Sequence, residues 1–211
     1  LLVGNNGANE LLLNDGTGAF SAADGFPGGS AYTRAVAIGD VDGDGDLDLL
    51  VGNYYHAYRS YSYDQIKTNA NPANELLLND GTGAFSAADG FPGGFADTVA
   101  VAIGDVDGDG DLDLLVGNYE AANELLLNDG AGAFSAADGF PGGSTKTNSV
   151  AIGDVDGDGD LDLLVGNFGS GNELLLNDGV GAFSAADGFP GGSGSYTHAM
   201  AIGDVDGDGE L

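Results

Sequence analysis

The chain has 211 residues, 34 of them acidic and 4 basic, for a formal net charge of −30. That charge repels phosphates and anionic headgroups, which excludes nucleic-acid binding and docking on an anionic membrane as primary roles, and no apolar run approaches the ~18 residues of a membrane span. Yet 42% of residues are hydrophobic, which marks a folded protein rather than an acidic tail, and the lack of cysteine removes disulfides, thiolate metal sites and cysteine nucleophiles.

In chain order, Leu1-Leu2-Val3-Gly4-Asn5 anticipates Leu49-Leu50-Val51-Gly52-Asn53, so the chain opens inside a repeating unit. The string NELLLNDGxGAFSAADGFPGG then begins at Asn9, Asn74, Asn123 and Asn172. The string GDVDGDG places its first Asp at Asp40, Asp105, Asp154 and Asp204, spaced 65, 49 and 50 residues apart. The unit is thus about 50 residues long, and one copy carries an insertion at about 54–71. The order of motifs makes residues 1–211 four repeats less one residue, read as one repeat domain, either a closed ring or an excerpt of a longer array.

Each unit reads as four short strands. In the second copy these are Ala35 to Ile38, Leu47 to Val51, Glu75 to Leu78 and about Ala84 to Ala87. Asn79-Asp80-Gly81-Thr82-Gly83 is a hairpin turn, and Phe91-Pro92-Gly93-Gly94 breaks the last strand. Leu76-Leu77-Leu78 is apolar on both faces, as in a sheet packed between two others. No segment has helical periodicity. The expected fold is all-β: a β-propeller of about four four-stranded blades, with a solenoid of similar sheets as the alternative. Phe20, Phe85, Phe134 and Phe183 are expected between blades.

The Asp-rich segment joins the first two strands of each unit. In loop 40–48, Asp40, Asp42, Asp44 and Asp48 stand at positions 1, 3, 5 and 9, Gly45 at the turn of position 6, and Asp46 at position 7, where a backbone carbonyl would serve. Loop 105–113 repeats this with Asp105, Asp107, Asp109, Asp111 and Asp113. Loop 154–162 repeats it with Asp154, Asp156, Asp158, Asp160 and Asp162. The last copy, 204–211, has Asp204, Asp206, Asp208 and Glu210 and no position 9. Hard carboxylate oxygens at this spacing suit Ca²⁺, about one per repeat, better than Mg²⁺, which keeps more water. The loop is not an EF-hand: Val51, Val116 and Val165 stand where a bidentate Glu is needed, and the flanks are strands. A merely solvated acidic turn would not explain four copies of a ligand-spaced pattern.

AVAIGDVDGDGDLDLLVGN followed by ELLLNDGTGAF resembles the FG-GAP/VCBS repeat of integrin-α-type β-propellers, over essentially the whole chain outside the insertion. The resemblance implies one Ca²⁺ per blade on the Asp residues named above. It also implies an extracellular or cell-surface setting, in adhesion receptors, lectins or propellers of polysaccharide lyases.

Successive antiparallel strands put the 1–2 and 3–4 loops on one face and the 2–3 and 4–1 loops on the other. Almost all variation among the four copies lies on the second face. All four basic residues, Arg34, Arg59, Lys67 and Lys146, are there, with His56, His198 and all eight tyrosines. Tyr and Arg are favoured at binding surfaces. The candidate ligand residues are therefore Tyr54, Tyr55, Tyr58, Arg59, Tyr61 and Tyr63, weighed against simple drift of solvated loops. No nucleophile–base arrangement or zinc pattern stands out, so a non-enzyme is expected. The leading reading is a calcium-binding extracellular recognition module for a glycan or an extracellular protein. The alternatives are a structural array, with self-assembly, or a lyase propeller.

Overall fold

The computed structural model describes residues 1–29, 31–54, 73–143, 146–192 and 196–205, and every regular element in them is a strand. The first sheet holds β1 (Leu2–Val3), β2 (Glu10–Asn14) and β3 (Phe20–Ala22). The second holds β4 (Tyr32–Gly39), β5 (Asp48–Tyr54), β6 (Glu75–Asn79) and β7 (Phe85–Ala87). The third holds β8 (Asp97–Gly104), β9 (Asp113–Tyr119), β10 (Glu124–Asn128) and β11 (Phe134–Ala136). The fourth holds β12 (Thr147–Gly153), β13 (Asp162–Asn167), β14 (Glu173–Asn177) and β15 (Phe183–Ala185). Each is an antiparallel meander in sequence order.

The sheets stack face to face like propeller blades, with inner strands meeting: β4 packs on β8 and β8 on β12, while β5 meets β8 and β9 meets β12. Segment 196–205 takes the next inner position against the fourth sheet. There Asn148 Nδ2 donates to Thr197 O at 2.8 Å, and Met200 N donates to Ser149 Oγ at 3.2 Å. Among the described residues no strand joins the last sheet to the first.

Two-sided burial explains the Leu-rich strands. Leu49 and Val51 face the first sheet, in a cluster with Leu2, Leu11 and Leu77, while Leu50 faces the third, with Leu114, Val116 and Leu126. Leu115 and Leu125 continue the pattern against Leu163 and Leu175. The inner strands approach so closely that only glycine fits at the seam. A Cβ on Gly39 would lie 3.0 Å from Leu112 Cδ1, one on Gly104 3.1 Å from Ile152 Cγ2, and one on Gly52 2.8 Å from Thr98 Cγ2.

Three of the four expected inter-blade phenylalanines sit in the seams. Phe85, Phe134 and Phe183 meet Phe26, Phe91 and Phe140 of the preceding sheet edge to face, with centroids 5.6, 5.6 and 5.9 Å apart. Phe20 does not: it is 52% exposed, because among the described residues no sheet stands before its own to cover it. The inner strands also begin earlier than the hydrophobic pattern suggests. Tyr32, Thr33 and Arg34 belong to β4 and Asn53 and Tyr54 to β5, since the ladder continues through a bulge between Thr33 and Ala35 to Tyr32↔Tyr54.

Candidate metal centres

Each Asp loop connects the inner strand to the second strand of its sheet, so it begins as one strand ends and closes on the first residue of the next. Gly43 and Gly45 turn the chain at φ of 73° and 93°, and Gly108 and Gly110 do so at 76° and 98°. The left-handed region is open to glycine at little cost, which explains Gly at position 4 as well as at position 6. The turn draws three carboxylates together. Oxygens of Asp40, Asp42 and Asp48 lie within 4.8 Å of one another, as do those of Asp105, Asp107 and Asp113 and those of Asp154, Asp156 and Asp162.

The position-9 aspartates anchor the centres. Asp48, Asp113 and Asp162 are buried. Asp48 Oδ2 accepts from Val41 N at 2.9 Å and its Oδ1 from Asn79 N at 2.8 Å. Asp113 accepts from Val106 N and Asn128 N, and Asp162 from Val155 N and Asn177 N, at 2.8 and 2.9 Å in each case. Burial pushes the Asp48 carboxyl above its ordinary range and raises Asp113 to about 6, against the lowering effect of the backbone donors. The charges of Asp107 and Asp109 add to the rise at Asp113. Asp107 and Asp156 are also pushed up, first by desolvation.

The remaining loop residues play different parts. Asp44 lies outside the first triad, and its Oδ1 accepts from Asp46 N at 2.8 Å. Asp109 and Asp158 do the same for Asp111 N and Asp160 N, each at 2.9 Å. The carboxylates of Asp46, Asp111 and Asp160 turn toward Gly81, Gly130 and Gly179 of the neighbouring hairpin turns. In the last loop Asp204 is described and exposed, while Asp206, Asp208 and Glu210 lie outside the described residues.

The donor set fits a divalent cation. All the ligands are hard oxygens, and Asp40 Oδ1 is a buried carboxylate oxygen with no hydrogen-bond partner. Asp40, Asp42 and Asp48, and their counterparts in the next two loops, would hold Ca²⁺, whose charge would offset the repulsion among these carboxylates.

The opposite rim carries aromatics on strand ends. Tyr54 lies 6.0 Å from Tyr32 and 6.4 Å from Tyr119, centroid to centroid. The Arg34 guanidinium stands 5.1 Å over Tyr54, and the Lys146 ammonium 4.9 Å over Tyr119. Lys146 also pairs with Glu120 at 2.6 Å. Further along, Phe168 packs on Tyr196 at 4.5 Å. Of the tyrosines singled out in the sequence, Tyr54 belongs to this row; Tyr55, Tyr58, Arg59, Tyr61 and Tyr63 lie outside the described residues.

Sequence reasoning passed over the asparagines. Asn53, Asn118 and Asn167 stand at or next to the ends of the second strands, and their Oδ1 atoms accept from the hydroxyls of Thr33, Thr98 and Thr147. Their backbone N–H groups donate to Asn74, Asn123 and Asn172. The available signal was an Asn at the same place in every unit.

Strand meander, close-packed seams and Asp loop between the first two strands recur with the repeat. The FG-GAP-like repeat model matches residues 1–51, 64–116, 105–165 and 154–211. The chain belongs to the FG-GAP-like repeat family. All four matches of this FG-GAP-like protein begin or end with an Asp loop, so the family pattern and the candidate metal centres coincide in sequence. No curated protein matches the chain.

Proposed function

We propose that this FG-GAP-like protein is a calcium-stabilised, non-catalytic recognition module of the extracellular space or cell surface. Its metal face stiffens the blades and its opposite rim binds a glycan or an extracellular protein. The observation that carries the calcium half is the threefold recurrence of one carboxylate triad on a glycine-turned loop, with a buried unpartnered oxygen in the first. Open oxygen-rich loops of this kind suit the millimolar calcium found outside cells.

The recognition half rests on the aromatic row. Tyr32, Tyr54 and Tyr119 are half-buried on strand ends, so their rings are held rather than waving on loops. A sugar's C–H face stacks on such rings, and Arg34 and Lys146 add hydrogen-bond donors beside them. On a chain of charge −30, this rim is where cations and aromatics gather. The test is a glycan array probed with the purified chain in calcium and in chelator, alongside Tyr54→Ala and Tyr119→Ala. Calcium-dependent binding lost in the variants supports the reading. Absence of binding in both conditions rejects a lectin role and leaves a protein partner or a structural array.

A further inference from the structure

Asn128 touches two metal loops at once. Its side-chain Nδ2 crosses the seam to donate to Val41 O, at position 2 of the first loop, at 2.7 Å. Its backbone N donates to Asp113 Oδ1, the position-9 carboxylate of the second loop, at 2.9 Å. Asn177 repeats this one sheet on: Nδ2 reaches Val106 O at 2.6 Å and N reaches Asp162 Oδ1 at 2.9 Å. The two valines close the path, because Val41 N donates to Asp48 Oδ2 and Val106 N to Asp113 Oδ2. An unbroken run of hydrogen bonds thus leads from Asp48 through Val41, Asn128, Asp113, Val106 and Asn177 to Asp162. Both asparagines and both valines are buried. Each asparagine also bonds the carbonyl before its own position-9 Asp, Asn128 to Leu112 O at 3.1 Å and Asn177 to Leu161 O at 3.0 Å; Asn79, with no described loop before its sheet, makes that bond to Leu47 O at 3.2 Å and is less buried.

The position-3 ligands lie in the same seams. A Cβ on Gly132 would stand 3.3 Å from Asp42 Cβ, and one on Gly181 3.1 Å from Asp107 Cβ. The first and second loops are therefore clamped against the hairpin turn of the next sheet. Ordering a loop around an ion also orders the seam that the next loop uses.

We propose that the three centres bind calcium with positive cooperativity along the row, and that Asn128 and Asn177 are the positioning residues that transmit it; this rests on the calcium reading above. The first ion orders a seam, and its neighbour binds without that ordering cost. Coupling of this kind multiplies affinity by ~5-fold or more per neighbour.

The test is calorimetric titration of the full chain with calcium chloride. Asn128→Ala and Asn177→Ala delete the cross-seam bonds, together with the Nδ2 bonds to Leu112 O and Leu161 O of their own sheets, and leave every carboxylate in place. Thr98→Val is the control, since it removes a buried polar contact at the opposite end of the same seam. The expected result is a Hill coefficient above 1 in the parent and in Thr98→Val, falling to 1 when both asparagines are replaced. Asp107→Asn, which disables the middle centre and leaves both cross-seam asparagine bonds in place, lowers the affinity of the outer two several-fold. A Hill coefficient of 1 in the parent, or outer centres indifferent to Asp107→Asn, overturns the coupling while leaving calcium binding standing. Absence of any calcium heat overturns both.

Discussion

Asn74 Nδ2 donates to Thr98 Oγ1 at 2.9 Å across the seam between the second and third sheets, and Thr98 Oγ1 in turn donates to Asn118 Oδ1 at 3.0 Å. The hydroxyl is fully enclosed, so it serves as donor to one side chain and acceptor to another, with no water to replace it. Thr98→Val keeps the shape and leaves both amides short of a partner. It should cost about 1–3 kcal/mol of stability, measured by urea unfolding in saturating calcium.

The inner seams tolerate no side chain at glycine. Gly52 has no left-handed requirement, so Gly52→Ala tests space alone: the new methyl carbon meets Thr98 Cγ2 at 2.8 Å and Val101 Cγ1 at 3.3 Å. Overpacking of this kind costs about 1–3 kcal/mol. Gly45→Ala, where no atom lies within 4 Å but φ is 93°, should instead act through backbone strain in the metal loop, and so weaken calcium binding as well.

Calcium and protons compete for the position-9 carboxylates. Asp113, raised to about 6, is partly protonated at pH 6 without metal, and the ion must displace that proton. Calcium affinity should fall as pH drops through 6. At that pH, titrations in buffers of different ionisation enthalpy should show proton release, and Asp113→Asn should abolish most of it. In chelator the sign for stability is reversed. A carboxyl raised in the fold is harmless below its ordinary 3.8 and destabilises as pH rises toward 6, so the metal-free chain should lose thermal stability over that interval and regain it when calcium is added.

Two glutamates on the other face should behave as buried acids without a metal. Glu75 Oε2 and Glu124 Oε2 are buried and unpartnered, set against Gly29 and Gly94 of the preceding sheet's turn. Burial is the sole cause raising both above the ordinary 4.5. Their contribution is intact below that value and is lost as pH rises through the folded pKa. Glu75→Gln and Glu124→Gln should therefore raise the melting temperature at pH 7.5 and leave it unchanged at pH 4. A lower melting temperature at pH 7.5 would mean that the ionised carboxylate has a stabilising partner.

The repeat made the architecture readable. Four copies of an apolar-both-sides Leu strand can be satisfied only by sheets stacked on sheets, and the Asp spacing pointed to loops between the first two strands. What could not be read was the division of labour inside the loop. Asp42 and Asp44 look alike in sequence, but Asp42 joins the carboxylate triad while Asp44 Oδ1 accepts from Asp46 N. Nor does periodicity distinguish a strand end from a loop: Tyr32 and Thr33 follow no alternation, and only the ladder to Tyr54 and Asn53 places them on β4. The seam asparagines Asn128 and Asn177 carry no sequence signal of their role because the partners they reach across the seam are main-chain carbonyls of the preceding unit, Val41 O and Val106 O.

The glycine–isoleucine lock has a genetic consequence. Gly39 receives Ile103, Gly104 receives Ile152 and Gly153 receives Ile202, so each seam is built from the same two residue types in the same setting. Removing 49 residues in register, from Asp105 to the residue before Asp154, would bring Gly104 and its inner strand up to the loop that begins at Asp154 and leave Ile202's counterpart seat unchanged. Loss or duplication of a whole unit in this register therefore keeps the glycine–isoleucine contact at the new junction, and blade number can change without a new contact of this kind having to evolve.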